Sequence, residues 1–495
     1  MLRNNFRQLV RNTFAYSLNS LLGPLFSLLL TPLYARMLGV ENYGIIGVIT
    51  PLGMLLFQIA SLSIPNILPV LFYDPQQKHQ KNLLSSAVNL GFLWSIVLGV
   101  LLFLNTAAIA QLVIGAQYQA SMIPMIQLMC FGLPFGVIYA IQSTILRLHF
   151  AVWRANALAL IYLLCTAGCN ILFVLLLDWQ AYGVMAANTT TNIVMGISSL
   201  LLSMHLFWVK PQLAQMLLLA KRGLPVLPAS LAVWMLSYSD RFFLTRSVSY
   251  QQLGLYDIAN KLASMLALLI EPFKSAWGPQ ALAIQQEDNA KRTYSKVFTY
   301  YCILSFGIAL GVSMFANEAL LILTTSDFLA AQRYVWLLTI VPLAGGMTLI
   351  LGIGLQITQK LVQQAWLFSV AAIANVICNL LLIPWLGVVG ASLSTAGSYG
   401  IMVILVAWNA QKAYPIPYEW TKIGIVIASY LALNLLLLLI GSQLTLSSLA
   451  TRIVLFLSYP LTLWLFGVFE VWELQLFKQT IMQPQKLLKW LKRSS

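Results

Sequence analysis

Of the 495 residues, 60% are hydrophobic and 8% are charged, and the mean hydropathy of +0.83 excludes a water-soluble globule. The formal net charge of +15 would suggest nucleic-acid binding in a soluble chain. In one this apolar it reads as the Lys and Arg excess that membrane proteins keep on the cytoplasmic side, so no nucleic-acid partner is expected.

Only helices and closed barrels satisfy the backbone in lipid. Runs such as Met265 to Ile270 and Leu431 to Ile440 lack the alternation of a barrel, so the expected class is an all-α polytopic membrane protein. The basic start MLRNNFRQLVRNTF leads into an apolar stretch without an A-x-A cleavage pattern and reads as an uncleaved first helix. Apolar stretches predict about fourteen spans: 14–37, 43–72, 83–104, 122–147, 152–176, 182–207, 223–246, 252–283, 296–317, 334–357, 362–385, 387–410, 422–441 and 449–473. The second and eighth are long enough to kink, with Pro51, Pro65, Pro272 and Pro279 as break points.

With the N-terminus cytoplasmic, about 21 Lys and Arg fall inside and about 4 outside, the latter being Arg36, Arg246, Arg333 and Arg452. An even number of spans returns the C-terminus to the cytoplasm. There the segment 474–495, with Lys486, Lys489, Lys492 and Arg493 among Leu487, Leu488, Trp490 and Leu491, reads as a basic amphipathic tail on the bilayer surface. The five cysteines lie in apolar segments without CxxC spacing and read as packing residues, so no metal and no cofactor are expected.

An internal repeat organises the chain. LTPLYARMLGVENYGI from Leu30 aligns with DRFFLTRSVSYQQLGL from Asp240 at a shift of 210 residues, matching Arg36 with Arg246 and Gly44 with Gly254. With small gaps the same shift pairs Cys169 and Asn170 with Cys378 and Asn379. Six spans separate the copies, so they keep one orientation. The expected plan is a first half over 1–207, a cytoplasmic linker 208–222, a second half over 223–410 and an appended helix pair over 411–473. Two parallel halves enclose a cleft suited to alternating access.

The segments TFAYSLNSLLGPLFSLLLTPLYARMLGVENYGIIG, YSDRFFLTRSVSYQQLGLYDIANKLA and FKSAWGP resemble polysaccharide flippases, relatives of the multidrug and toxin extrusion transporters and the lipid II flippases. The resemblance covers about residues 8–410. It implies translocation of undecaprenyl-diphosphate-linked oligosaccharides across a bacterial inner membrane, for O-antigen, capsule or exopolysaccharide synthesis, with polysaccharide polymerases as candidate partners.

Charges inside spans are costly and are functional candidates by default. Asp240, Arg241, Asp257, Lys261, Glu271 and Lys274 stand in the seventh and eighth spans, whereas the second is uncharged from Asn42 to Tyr73. Across the short seventh-to-eighth hairpin, Arg241 is expected to pair with Asp257 and Asp240 with Lys261. Either these four only clasp the hairpin, or Arg241 and Lys261 face the cleft and receive the diphosphate. Lys261, near mid-membrane, is the leading candidate. Glu271 and Lys274, at i and i+3, are expected to form a local pair, with a role in guiding substrate entry or in ion coupling as the alternative. Arg36 and Arg246 flank the outer mouth and are expected to snorkel. The polar neutral residues Asn19, Gln58, Asn66, Gln142, Asn170, Gln356 and Asn379 are candidates to line the cleft or to bond between helices.

Two other functions stand beside this one. A cation-coupled multidrug exporter shares the two-half plan. A membrane polymerase or ligase would need a catalytic outer loop, but the longest outer connection, Asn105 to Ser121, has no Asp, Glu, His, Lys or Arg. The three histidines lack carboxylate or cysteine partners in sequence, and no Walker A motif is present, so a transporter and not an enzyme is expected.

Overall fold

The computed structural model describes residues 2–75, 77, 79–115, 119–149, 152–440 and 446–470, and every regular element among them is a helix. The basic tail expected over 474–495 lies outside the described residues, as does the Asn19 side chain. Among the described residues, nine helices are long and apolar enough to cross a membrane, or eleven if each of two bent pairs is one span. Gln180–Ser203 has the length, but its polar run from Asn188 to Asn192 keeps it out of that set.

The breaks follow local chemistry. Leu2–Ser61 and Leu361–Ala413 are each two helices joined at a glycine, Gly39 at φ 68° and Gly387 at φ 55°, a backbone region costly for residues with a Cβ. After Leu62 and Ser63, also at positive φ, Pro65 sits in the first turn of Ile64–Phe72, where its missing N–H costs nothing. In the eighth span the expected break at Pro272 or Pro279 is displaced. The 44° bend lies between Tyr250–Ser264 and Ala267–Ala283, and both prolines sit inside the latter helix.

The chain forms two compact units. The first comprises Met1–Gln286 and Glu318–Pro415. Within it, Met122–Leu148 packs on Gln180–Ser203 and Gln80–Leu104, and Leu227–Leu244 packs on Leu361–Ala413. Leu2–Ser61 lies against Tyr250–Ser264, which brings the two repeat copies face to face.

Their contact is reciprocal. A Cβ on Gly44 would stand 2.9 Å from the Tyr250 carbonyl carbon and closer to its oxygen; a Cβ on Gly254 would stand 3.1 Å from the Val40 carbonyl carbon and closer to its oxygen. The 210-residue shift that relates Gly44 to Gly254 also relates Val40 to Tyr250. Each half thus offers its glycine to the other half's backbone, and only glycine permits so close an approach. One turn further, a Cβ on Gly47 would meet Asp257 Cγ at 3.2 Å.

The second unit comprises Glu287–Asn317 and Ile416–Ser495. Ala290–Met314, which the repeat assigns to the second half, packs here against Trp420–Ile440 and Leu446–Leu465. Polar bonds explain the grouping. Ser295 donates to the Pro417 carbonyl at 2.7 Å, Ser313 to Asn434 Oδ1 at 2.7 Å, and buried Arg452 to the Met314 carbonyl at 3.2 Å. Lys296 and Lys422 both bridge Glu419 and Glu470, at 2.9 Å and 3.0 Å to Glu419. Burial acts to raise the Glu419 carboxyl, but bonds from Lys296, Thr299 and Lys422 outweigh it and hold the group below the usual carboxylate range.

Candidate functional site

The first unit contains a half-open cavity of about 900 Å³. Residues 50–58 of the broken first helix, parts of Met122–Leu148 and Gln180–Ser203, Tyr162, and the stretch Ser230 to Tyr238 of Leu227–Leu244 line it. Both repeat halves therefore contribute walls. Trp234 is fixed by an Nε1–H bond to the Pro51 carbonyl at 3.1 Å, which ties the second half's wall to the first half's.

The lining is aromatic and amide-rich. Tyr139 and Tyr162 stack with centroids 4.8 Å apart and an interplanar angle of 27°, and the Tyr162 hydroxyl donates to Asn192 Oδ1 at 3.0 Å. Asn188, Asn192 and Gln58 present amides, and Phe57, Trp234 and Tyr238 add rings. Among the described residues, no Lys, Arg, Asp, Glu or His lines the space.

The expected ionic cluster lies one turn beyond the cavity, along Leu227–Leu244. Arg241 pairs with Asp257 at 2.9 Å, as its position across the hairpin predicts, and with Asp240 at 3.1 Å. Its guanidinium also stands 5.2 Å from the ring centroid of Tyr238 and 5.5 Å from that of Tyr256. Arg241 is 2% exposed, so two carboxylates and two aromatic rings enclose it.

The expected Asp240 to Lys261 pair does not form. Asp240 accepts from Tyr256, from Thr395 at 3.2 Å and from the Arg241 backbone N–H at 2.8 Å, which leaves its oxygens occupied. Lys261 instead lies over aromatic faces, 5.6 Å from the Tyr34 centroid and 5.9 Å from that of Tyr43, with no carboxylate within 4.0 Å among the described residues. Beside it, Leu28, Thr31, Ile258 and Thr324 surround a void of about 10 Å³. Glu271 and Lys274 form the local pair expected of them, at 2.6 Å.

The two flanking arginines do not simply snorkel. Arg36 Nη2 donates to the Ile322 carbonyl at 3.4 Å, and Arg246 Nη2 to the Leu112 carbonyl at 3.0 Å. These carbonyls belong to the last turns of Ala316–Leu323 and Thr106–Ile114, where helix C-termini leave acceptors unsatisfied and favour cations. The shift of 210 again relates Leu112 to Ile322, so each half's arginine caps the other half's short helix. Of the eight charged candidates, none lines the cavity.

Of the neutral candidates, Gln58 lines the cavity, while Asn170, Asn379 and Gln142 bond between helices. Asn170 accepts from Tyr34 at 2.9 Å, Asn379 donates to Ser239 at 3.4 Å, and Gln142 accepts from Ser203 at 2.5 Å. Sequence reasoning passed over Tyr139, Tyr162, Asn188, Asn192 and Trp234. The signal for the asparagines was the run AANTTTNI, too polar for a helix that lies wholly among apolar neighbours.

Residues 9–281, more than half of the chain, match the family described as polysaccharide biosynthesis protein. The chain belongs to that family. This polysaccharide biosynthesis protein is 24% identical over 185 residues to the probable low-salt glycan biosynthesis flippase Agl15 of Haloferax volcanii, an alignment that spans 37% of the chain and 38% of the relative. Among solved structures it shares the fold of the lipid II flippase MurJ in an inward closed conformation, with a TM-score of 0.71, 12% identity and coverage of 91% and 98% of the two chains. An inward-facing multidrug resistance MATE family transporter of the MOP superfamily matches at a TM-score of 0.64 and 13% identity, over 82% of this chain and 96% of that one. The described residues thus form an all-helical membrane protein that shares the fold of these two transporters.

Proposed function

We propose that this protein is a flippase that moves undecaprenyl-diphosphate-linked oligosaccharides from the cytoplasmic to the outer leaflet of a bacterial inner membrane, in cell-surface polysaccharide synthesis. The observation that carries the proposal is a cavity of about 900 Å³ walled by both repeat copies of a chain in the polysaccharide biosynthesis family. The glycan flippase name of the Agl15 relative supports the same reading.

In the proposed topology fourteen helices span the bilayer with both termini cytoplasmic, and the end bearing Arg36 and Arg246 faces outward. The glycan enters the cavity from the cytoplasmic side while the lipid tail stays in the bilayer. The reciprocal glycine and arginine contacts then part, and the headgroup leaves outside. Lys261 is assigned the diphosphate, since its charge is screened by rings and not neutralised by a carboxylate at 4.0 Å or less. Arg241, matched by two carboxylates, is assigned the hairpin clasp. Arg36 and Arg246 hold the closed outer end, and Glu271 with Lys274 stands on the entry side.

Deletion of the gene tests the proposal. A lipid-linked oligosaccharide should accumulate on the cytoplasmic leaflet; no accumulation together with raised drug sensitivity would replace the flippase with a multidrug exporter. For the site, Lys261→Ala should impair translocation while Lys261→Arg retains part of it, and equal transport by Lys261→Ala and wild type at matched protein levels removes Lys261 from the mechanism.

A further inference from the structure

We infer that the cavity recognises uncharged sugar residues on the stacked Tyr139 and Tyr162 rings, and that it discriminates against uronates and other acidic sugars. The importance of this for transport rests on the flippase reading above; the binding itself does not.

The shape and chemistry of the lining carry the inference. A pyranose ring has one face of C–H groups and a rim of hydroxyls. Tyr139 and Tyr162 stack on each other with centroids 4.8 Å apart and planes at 27°, so one face of each is covered and the ring surface left toward the cavity is what meets the C–H face. The rim meets amides. Asn188 and Gln58 line the cavity and make no side-chain hydrogen bond among the described residues, and the Tyr162 hydroxyl occupies only Asn192 Oδ1, which leaves that residue's NH₂. An amide both donates and accepts, as a hydroxyl does, so three of them complement a sugar rim without fixing its charge. At about 900 Å³ the space is near the upper end of small-molecule sites, which run to roughly 1,000 Å³.

Charge decides the class of sugar. A carboxylate taken into this lining would find no cation, and burying an unpaired charge is far costlier than burying a hydroxyl that keeps its hydrogen bonds. Arg241, one turn away, is already matched by Asp240 and Asp257. A neutral glycan therefore fits the cavity, and its diphosphate must lie outside it.

The full-length protein in nanodiscs, applied to an array of neutral and acidic oligosaccharides of matched length, tests this directly. Neutral members should bind, with their uronate counterparts weaker by at least about tenfold, a gap of about 1.4 kcal/mol. Tyr162→Leu should weaken neutral binding by about tenfold, and Asn188→Lys should strengthen acidic binding by about tenfold over wild type. Equal binding of neutral and acidic members, no binding above empty nanodiscs, binding of the probe cation tetraphenylphosphonium alone, or no gain by a folded Asn188→Lys overturns the inference. The wild-type comparison decides the matter should the variants not fold. In proteoliposomes, equal flipping of polyprenyl-diphosphate carriers with neutral and acidic glycans sinks the discrimination and leaves the flippase reading standing. Neutral binding on the array without flipping of either carrier does the reverse.

Discussion

Replacing Gly44 with alanine adds one methyl where two helix backbones meet. The new Cβ would lie 2.9 Å from the Tyr250 carbonyl carbon and 3.0 Å from the Gly254 nitrogen, and nearer still to the Tyr250 oxygen. No flexible side chain is there to give way, so the helices must separate. Overpacking of this kind costs about 1–3 kcal/mol. Because the methyl penalises only the state in which the contact is closed, that cost shifts the closed-to-open ratio by about 5- to 150-fold. A cysteine at Leu253, fully buried at 0% exposure and facing Gly47, reports the opening in a background whose five native cysteines are replaced. Its labelling by a membrane-impermeant maleimide should accelerate by that factor in Gly44→Ala. The reciprocal geometry demands a similar acceleration in Gly254→Ala and less than the summed effect in the double variant, which strains one interface. Unchanged labelling in both variants, or a response from one glycine alone, refutes the reasoning.

In the buried cluster, removing the cation should be more damaging than removing one acid. Arg241→Met leaves Asp240 and Asp257 without their partner and should cost about 3–5 kcal/mol, read as a loss of thermal stability, whereas Asp240→Asn keeps the Arg241 to Asp257 pair and should cost less; an Asp240→Asn variant as unstable as Arg241→Met denies the pairing. In the second unit, Glu419 has a folded-state pKa below the usual 4.5, so its contribution is full above that value and disappears as pH falls through the lower one. Thermal unfolding followed from about pH 6 to about pH 3 should therefore show a shallower acid decline for Glu419→Gln than for wild type. Arg246→Gln should remove a helix C-terminal cap worth about 0.3–1 kcal/mol and raise hydrogen exchange in Thr106–Ile114; an unchanged exchange rate there denies the cap.

What could be read from the residues alone depended on distance along the chain. The helical class, the repeat and the Arg241 to Asp257 pair follow from apolar runs, self-alignment and helical spacing across a short hairpin. The expected Asp240 to Lys261 pair rests on the same hairpin. The hydroxyls that in fact donate to Asp240, those of Tyr256 and Thr395, include one 155 positions away that no local pattern points to. Lys296 and Lys422 enter the sorting of Lys and Arg as cytoplasmic charges, and Glu419 and Glu470 do not enter it; that sorting sees sides of a membrane and not contacts. The cavity was least legible. Tyr139, Tyr162 and Trp234 look like any aromatic in an apolar helix, and their facing one space is a product of packing among helices from both halves.

Gly47 and Asp257 occupy matching places in the two repeats, since the 210-residue shift carries one onto the other, and they touch. A residue that touches its own counterpart stands on the two-fold axis. Two identical chains would make the glycine and arginine contacts equally well across such an axis, as homodimers do. They could not place an aspartate there cheaply, because each acid would confront its twin and one of the two would resist ionisation. Joining the copies on one polypeptide lifts that constraint: a single gene can then spell glycine on one side of the axis and aspartate on the other. The Arg241 cluster is therefore a feature that two different halves on one chain accommodate and a symmetric pair of identical chains does not.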